Sequence, residues 1–243
     1  MKKILTLILS LSLVVVCLSG CGDDDKVTAA AITQPTVAKT PDSHYIADFE
    51  TILQEPELPT GCEITSLTMA LNYYGYDVDK ITMAYDYLPI LYDGVYTDNY
   101  GITFGPEIGN YFLGDPGSAW GYFCYPEAIV TAANEYLSDE KSMIKAVDIS
   151  GTNADSLYEL VAKDTPVIVW ITVYMTERWD MLSWYTESGE EVEWSQDDHC
   201  GVLIGYDDDS VTIADPISGE WEYDRDDFEE VYLSRGQLAV ILE

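Results

Sequence analysis

Apolar and polar positions along this 243-residue chain change their period midway. From residue 62 the spacing is helical. Ile64, Leu67, Leu71 and Tyr74 fall on one side, Pro59-Thr60-Gly61 forms a tight non-helical lead-in, and Gly75 suits a left-handed C-cap. Ahead of it, Thr51-Ile52-Leu53-Gln54 reads as a short strand or an extended arm. Asp77 or Asp79 caps a second helix running to Leu88. Pro89 to Trp120, rich in Gly, Pro and Tyr, has no clear period and reads as a long ordered loop region with room for one short helix. Pro126 opens a helix with Ala128, Ile129, Ala132, Ala133 and Tyr136 on its apolar face, and Asn153 or Asp155 starts another that ends at Lys163. The period then shortens. Pro166 to Tyr174 is a β-branched and aromatic run expected to be a central strand buried on both faces. Glu187-Ser188-Gly189-Glu190 is a hairpin turn into Val192-Glu193-Trp194. Cys200 to Gly205 and Ser210 to Ala214 are strands joined by Asp207-Asp208-Asp209, and Glu220 to Tyr223 is a third. A short helix around Asp226 to Tyr232 precedes a last strand, Gln237 to Leu242. Helices come first and an antiparallel sheet follows, which is the α+β class.

The N-terminus follows a different logic. Lys2 and Lys3 precede an apolar run from Ile4 to Leu18, short for a membrane-spanning helix and suited to a signal sequence. Leu18-Ser19-Gly20-Cys21 resembles a bacterial lipoprotein signal cleaved before the cysteine. That resemblance implies a signal peptide over residues 1–20 and a lipid on Cys21. An uncleaved signal anchor is the alternative. Residues 21–44, with Asp23, Asp24, Asp25, Pro35 and Pro41 and no periodicity, read as a flexible tether. Residues 45–243 remain for one folded domain. The expected location is extracytoplasmic, lipid-anchored to the cell membrane.

Charge narrows the partners. Asp and Glu number 44 against 11 Lys and Arg, a net charge of −33 that becomes −35 once Lys2 and Lys3 leave with the signal. Such a chain repels phosphate backbones, so nucleic acid is excluded as a partner. A solvated outer face accounts for the acidity, with attraction to basic peptide or cell-wall partners as the lesser reading. At 47% apolar and 12% aromatic residues, the chain can bury a sizeable core.

Cysteine and histidine carry the candidate chemistry. Cys17 belongs to the signal and Cys21 to the lipid, leaving Cys62, Cys124 and Cys200. Three is an odd number for an exported protein, so at least one is a free thiol unless the protein dimerises through it; a Cys124–Cys200 bridge stays open. No CxxC or Cys/His spacing suggests a metal site, and the chemistry needs no cofactor. Cys62 stands at a helix start, where the macrodipole favours a thiolate; the alternative is a small buried apolar residue. A thiol nucleophile needs a base, and the chain has two histidines. His44 lies at the tether's edge, whereas His199 heads a strand. If strands 200–205 and 210–214 pair as a hairpin, Asp215 meets His199 at its open end and can fix the ring's tautomer. Asp197 and Asp198 are rivals, although neighbours at one and two residues project away in an extended segment. The backbone N–H of Cys62 and the side-chain amide of Gln54 can stabilise an oxyanion. Glu63 reads as a first-turn carboxylate favoured by the dipole, or as a group tuning the site. Trp120, Tyr122 and Tyr125 are cleft rings or core residues.

Gln54 through Leu71 (Gln-Glu-Pro-Glu-Leu-Pro-Thr-Gly-Cys-Glu-Ile-Thr-Ser-Leu-Thr-Met-Ala-Leu) resembles the N-terminal motif of the C39-like family of papain-fold cysteine peptidases. His199-Cys200-Gly201-Val202-Leu203-Ile204-Gly205-Tyr206-Asp207 resembles that family's histidine strand, and Ala214-Asp215-Pro216 with Gly219 its aspartate turn. The resemblance implies a papain-like fold with an N-terminal helical lobe and an antiparallel sheet lobe. It also implies Cys62 as nucleophile, His199 as base, Asp215 as orienter and Gln54 in the oxyanion hole, acting on a peptide or protein substrate. An acyl or amide transferase would use the same residues. A non-catalytic binding module with the same cleft is the alternative of a different class.

Overall fold

A computed structural model describes residues 40–179 and 181–243; the signal segment, Cys21 and the tether up to residue 39 lie outside the described residues. In chain order the elements begin with β1 (His44–Tyr45), α1 (Cys62–Tyr73) and α2 (Lys80–Thr82), which runs on into a π-helical turn over Met83–Tyr87. Four two-residue strands follow: β2 (Ile90–Leu91), β3 (Tyr96–Thr97), β4 (Thr103–Phe104) and β5 (Phe112–Leu113). Then come α3 (Pro126–Asp139), β6 (Ala146–Asp148), α4 (Ala154–Val161), β7 (Val167–Thr172), β8 (Leu182–Tyr185) and β9 (Glu191–Trp194). The chain closes with β10 (Asp198–Tyr206), β11 (Ser210–Asp215), β12 (Gly219–Asp224), α5 (Arg225–Ser234) and β13 (Ala239–Leu242). The architecture is α+β, as the hydrophobic pattern implies.

Local chemistry sets the helix starts. The side chain of Asp79 accepts from the N–H groups of Ile81 and Thr82, that of Asn153 from Ser156, and that of Asp224 from Asp226 and Asp227. Pro126 opens the first turn of α3, where its missing N–H costs nothing.

One main sheet runs in the order β12-β11-β10-β7-β13-β6, with β1 added on β10 and every pair antiparallel. All six residues of β7 are buried, which is why its sequence shows no alternation. Helix α1 lies against β10 and β7, and α3 against β6 and β13. Because α1 is enclosed, ten consecutive residues from Cys62 to Leu71 are buried, the acidic Glu63 among them. The lead-in is equally tight. A Cβ on Gly61 would sit 2.8 Å from Leu58 Cβ, so only glycine lets the chain turn into α1 there.

The region from 89 to 120 departs from the expected loop with room for a short helix. It folds as β2 to β5 instead: β2 pairs with β5 in parallel, and β3 and β4 join β8 and β9 in a four-stranded sheet. Two-residue strands are too short to leave a period in the sequence. Trp184 holds the region together. It is fully buried, donates from Nε1 to Pro106 O at 2.9 Å, and shares a small core with Ile108, Leu113 and Phe123. Gly105 lies against its ring so closely that a Cβ would collide with it.

Three smaller differences concern ends and edges. The run expected to reach Tyr174 leaves the sheet after Thr172, because Tyr174 and Met175 adopt left-handed φ values of 58° and 54°. Residues 51–54 are the extended arm rather than a strand. The edge strand β6 is only three residues long and escaped the pattern. Among the described residues no helix is long and apolar enough to cross a membrane.

Candidate active site

The hairpin of β10 and β11 is the foundation. Val202 faces Ala214 and Leu203 faces Ile213, so His199 and Asp215 meet at the open end. His199 Nε2 and Asp215 Oδ1 are 3.0 Å apart, with both side chains almost fully buried. Asp215 serves as a turn former as well. Its Oδ1 accepts the N–H of Ile217 at 2.7 Å and of Ser218 at 3.2 Å, while Oδ2 accepts the Tyr223 hydroxyl at 3.3 Å. Burial pushes the Asp215 carboxyl up, but the His199 bond and charge and the two N–H bonds outweigh it and hold the group below its ordinary value. The rivals bond elsewhere. Asp198 pairs with Arg178 at 2.9 Å and Arg235 at 3.2 Å, and Asp197 accepts from Ser195 Oγ and from Trp179 N.

Gln54 arrives on the extended arm. Its backbone N–H donates to Pro216 O at 2.7 Å, which straps the arm to the Asp215 turn. Lys80 Nζ reaches the carbonyls of Leu53 and Gln54 from the other side. The Gln54 side chain is buried and donates from Nε2 to Pro59 O at 2.8 Å, leaving a second N–H on the same nitrogen. Cys62 opens α1, so its backbone N–H has no acceptor within the helix.

Gln54, Cys62 and His199 line one cavity of about 370 Å³, together with the rings of Trp120, Tyr122 and Trp194. Asp215 stands behind His199. Tyr125 packs against Phe123 instead, with the ring centroids 5.2 Å apart. A larger cavity of about 930 Å³, lined by Tyr96, Tyr111 and Tyr185 among others, contains neither Cys62 nor His199. Size does not mark the chemistry here; the converging polar groups do.

The thiol departs from the expectation of a depressed pKa. Burial pushes Cys62 well above its ordinary value, the charge of Glu63 adds to this, and Cys62 Sγ donates to Glu63 Oε2 at 3.3 Å. The helix terminus favours a thiolate, but desolvation and an adjacent carboxylate are the larger effects. Glu63, in the first turn of α1, is 2% exposed, and its Oε1 accepts the Cys124 N–H at 2.9 Å. One signal in the sequence pointed this way: the acid sits at the start of a helix whose following turns are apolar or small. Cys124 and Cys200 are free, buried thiols, with no bridge between them. Among the described residues no group of three or more His, Cys, Asp or Glu side chains is arranged to hold a metal ion.

Known proteins resolve what kind of molecule carries this geometry. Residues 46–240 match the Peptidase C39 like family. The chain belongs to that family. Membership implies a peptide substrate. A crystal structure assigned to the C39-like peptidases, from Bacillus anthracis, superposes with a TM-score of 0.72 at 29% identity, covering 84% of this chain and 98% of that one. YvpB of Bacillus subtilis (strain 168), itself uncharacterised, is 32% identical over 194 residues, 79% of this chain and 72% of its own length. Xylellain, a cysteine protease from Xylella fastidiosa, aligns with a TM-score of 0.43 at 11% identity, over 85% of this chain and 87% of its own. The α+β fold is that of the C39-like crystal structure, with α1 packed against β10 beside the cleft.

Proposed function

We propose that this C39-like protein is a cysteine peptidase, anchored outside the cell membrane through a lipid on Cys21, that cleaves a peptide or isopeptide bond. The observation that supports it best is that His199, buried and paired with Asp215, lines the cavity that Cys62 and Gln54 also line. With Nε2 bound to Asp215, Nδ1 is the ring atom left to act as base. Because the resting thiol is protonated, Cys62 attacks the carbonyl carbon as its proton passes to His199. The oxyanion is met by the Cys62 N–H and the second N–H of Gln54. The C–N bond then breaks, His199 protonates the leaving amine, and a thioester remains on Cys62. Water attacks the thioester, gives a proton to His199, and the C–S bond breaks. That proton returns to sulfur.

The test is a peptide library digested by the purified domain, with the acyl-enzyme trapped at low pH and located by mass spectrometry. An adduct on Cys62, with turnover lost in His199→Ala, is the expected result. Cleavage that persists in Cys62→Ala, or no adduct with any peptide that is cleaved, sinks the assignment.

A further inference from the structure

Glu63 is a buried acid in direct contact with the candidate nucleophile, and the mechanism above does not use it. Its two oxygens have separate partners. Oε1 takes the Cys124 N–H, and Oε2 takes the Cys62 thiol. The Cys124 segment is itself fixed, since Trp170 Nε1 on β7 donates to Cys124 O at 2.8 Å. Titratable neighbours come from every side: Cys62 on its own helix, Cys124 just before α3, and His199 and Cys200 on β10, with Asp215 of β11 behind His199. Among the described residues neither Lys nor Arg bonds to Glu63. A carboxylate enclosed with no Lys or Arg bonded to it, and touching a thiol, cannot ionise independently of that thiol.

We propose that Glu63 and Cys62 form a coupled pair that shares one proton across the Sγ–Oε2 contact, making Glu63 a positioning residue that holds the nucleophile as a resting thiol. The proposal rests on Cys62 being the nucleophile. Burial raises Glu63 to about 7, opposed by the N–H of Cys124, its own backbone N–H, the Cys62 thiol and the charge of His199. The pair therefore loses its first proton near neutrality, and the proton that remains sits mainly on sulfur. A small, pH-independent fraction is the tautomer with a neutral acid donating to a thiolate. The second proton leaves only at high pH, against the charge already present. Thiolate reactivity then rises in two steps that belong to the pair rather than to either residue.

Glu63→Gln separates them. The glutamine oxygen still accepts the Cys124 N–H, and its amide donates to sulfur, so the packing survives while the shared proton is lost. The readout is the alkylation rate of Cys62 by iodoacetamide, resolved by peptide mass spectrometry across about pH 5 to 10. The wild type is expected to rise in two steps, the first near neutral pH. Glu63→Gln is expected to rise in one, reacting about tenfold faster than wild type at mildly alkaline pH. Superimposable profiles, or a single step in the wild type, overturn the pairing. A second measurement does not depend on that variant folding. The infrared carbonyl band of neutral Glu63 is titrated in wild type and in Cys62→Ala, and an unchanged midpoint overturns the coupling. Peptide hydrolysis in His199→Ala, run in parallel, separates the two claims. Hydrolysis that needs His199 alongside unaltered Glu63→Gln profiles removes the pair and leaves the peptidase. Two-step profiles in a wild type that cleaves nothing do the reverse.

Discussion

The cleft has one wall on α1 and β10 and another on residues 119–122 with Trp194, and the two rest on different amounts of buried structure. The first is the edge of the main core: ten successive buried residues of α1 lie against the strands β7 and β10. The second belongs to a region of two- and four-residue strands around Ile108, Leu113, Phe123 and Trp184. Its rings nonetheless reach the site, because Tyr122 packs on Trp184 and on Trp194 with centroids 6.1 and 4.9 Å apart. Groups that exchange protons need fixed positions, which a packed helix and strand provide. Rings that only shape a cleft tolerate a looser support. Arg178 spans the two, bonding Asp198 of β10 and the Glu193 carbonyl of β9.

The comparison breaks first if chemistry is not confined to the first wall. Cys62→Ala is expected to lower peptide turnover by at least ~10³-fold while moving the melting temperature by less than ~4 °C. Trp194→Ala and Trp120→Ala are expected to retain far more activity. Equal losses from the two walls, measured as kcat/KM on one peptide, would show that the second wall takes part in the bond change.

Separate support is the next point at which it can break. Trp184→Ala leaves a large void in the small core and is expected to cost about 3–5 kcal/mol. Hydrogen exchange should accelerate over residues 89–125 and 182–194, while β7, β10 and the Cys62 alkylation rate stay near wild type. Uniform acceleration through the main sheet would mean one cooperative unit in place of two supports.

These regions also differ in how legible they were. Most of the main sheet could be read from sequence because β7 and β10 to β13 are four to nine residues long, and α2, α4 and α5 open on polar caps at Asp79, Asn153 and Asp224. The His199–Asp215 pairing followed from one hairpin, whose acidic turn at 207–209 fixes both ends: Asp207 Oδ1 accepts the N–H groups of Asp209 and Ser210. The four short strands after Leu88 were not legible, because each has only two residues and the pairing of β4 with β8 crosses some eighty residues, Phe104 facing Tyr185. The burial of Glu63 was not legible for a related reason. Helix position places it in the first turn, but the Cys124 N–H that bonds its Oε1 comes from sixty-one residues away. The left-handed turn at Tyr174 and Met175 had no signal at all, since neither residue type favours it.

Within the first wall, two acids should titrate in opposite senses. Asp215 is held below its ordinary value, so its contribution to stability is complete above about pH 4 and is lost as pH falls through the folded value. Glu63 runs the other way. Its folded value is raised from 4.5 to about 7, so the folded state keeps a proton that the unfolded state has released. Stability should fall as pH rises across that window, by roughly 3 kcal/mol in total, and level off above it. Urea midpoints against pH should show this decline in wild type and not in Glu63→Gln. A flat wild-type profile between those values would mean that Glu63 is more solvated than its position implies.

The smallest effect tests the second wall by itself. Trp120 is 85% exposed yet lines the cavity, and its backbone N–H donates to Ser118 Oγ. A large ring that little else packs against contributes almost nothing to folding, so Trp120→Ala should leave the melting temperature within about 2 °C of wild type. Its apolar face matters only once a substrate covers it. Burying part of the ring on binding is worth roughly 1–2 kcal/mol. KM should therefore rise by about five- to thirtyfold while kcat changes little, because the ring touches neither the thiol nor the imidazole. Trp120→Phe should restore most of the loss through retained apolar area. A fall in kcat with KM unchanged would move Trp120 to the chemical side of the cleft, and the two walls would no longer divide binding from bond cleavage.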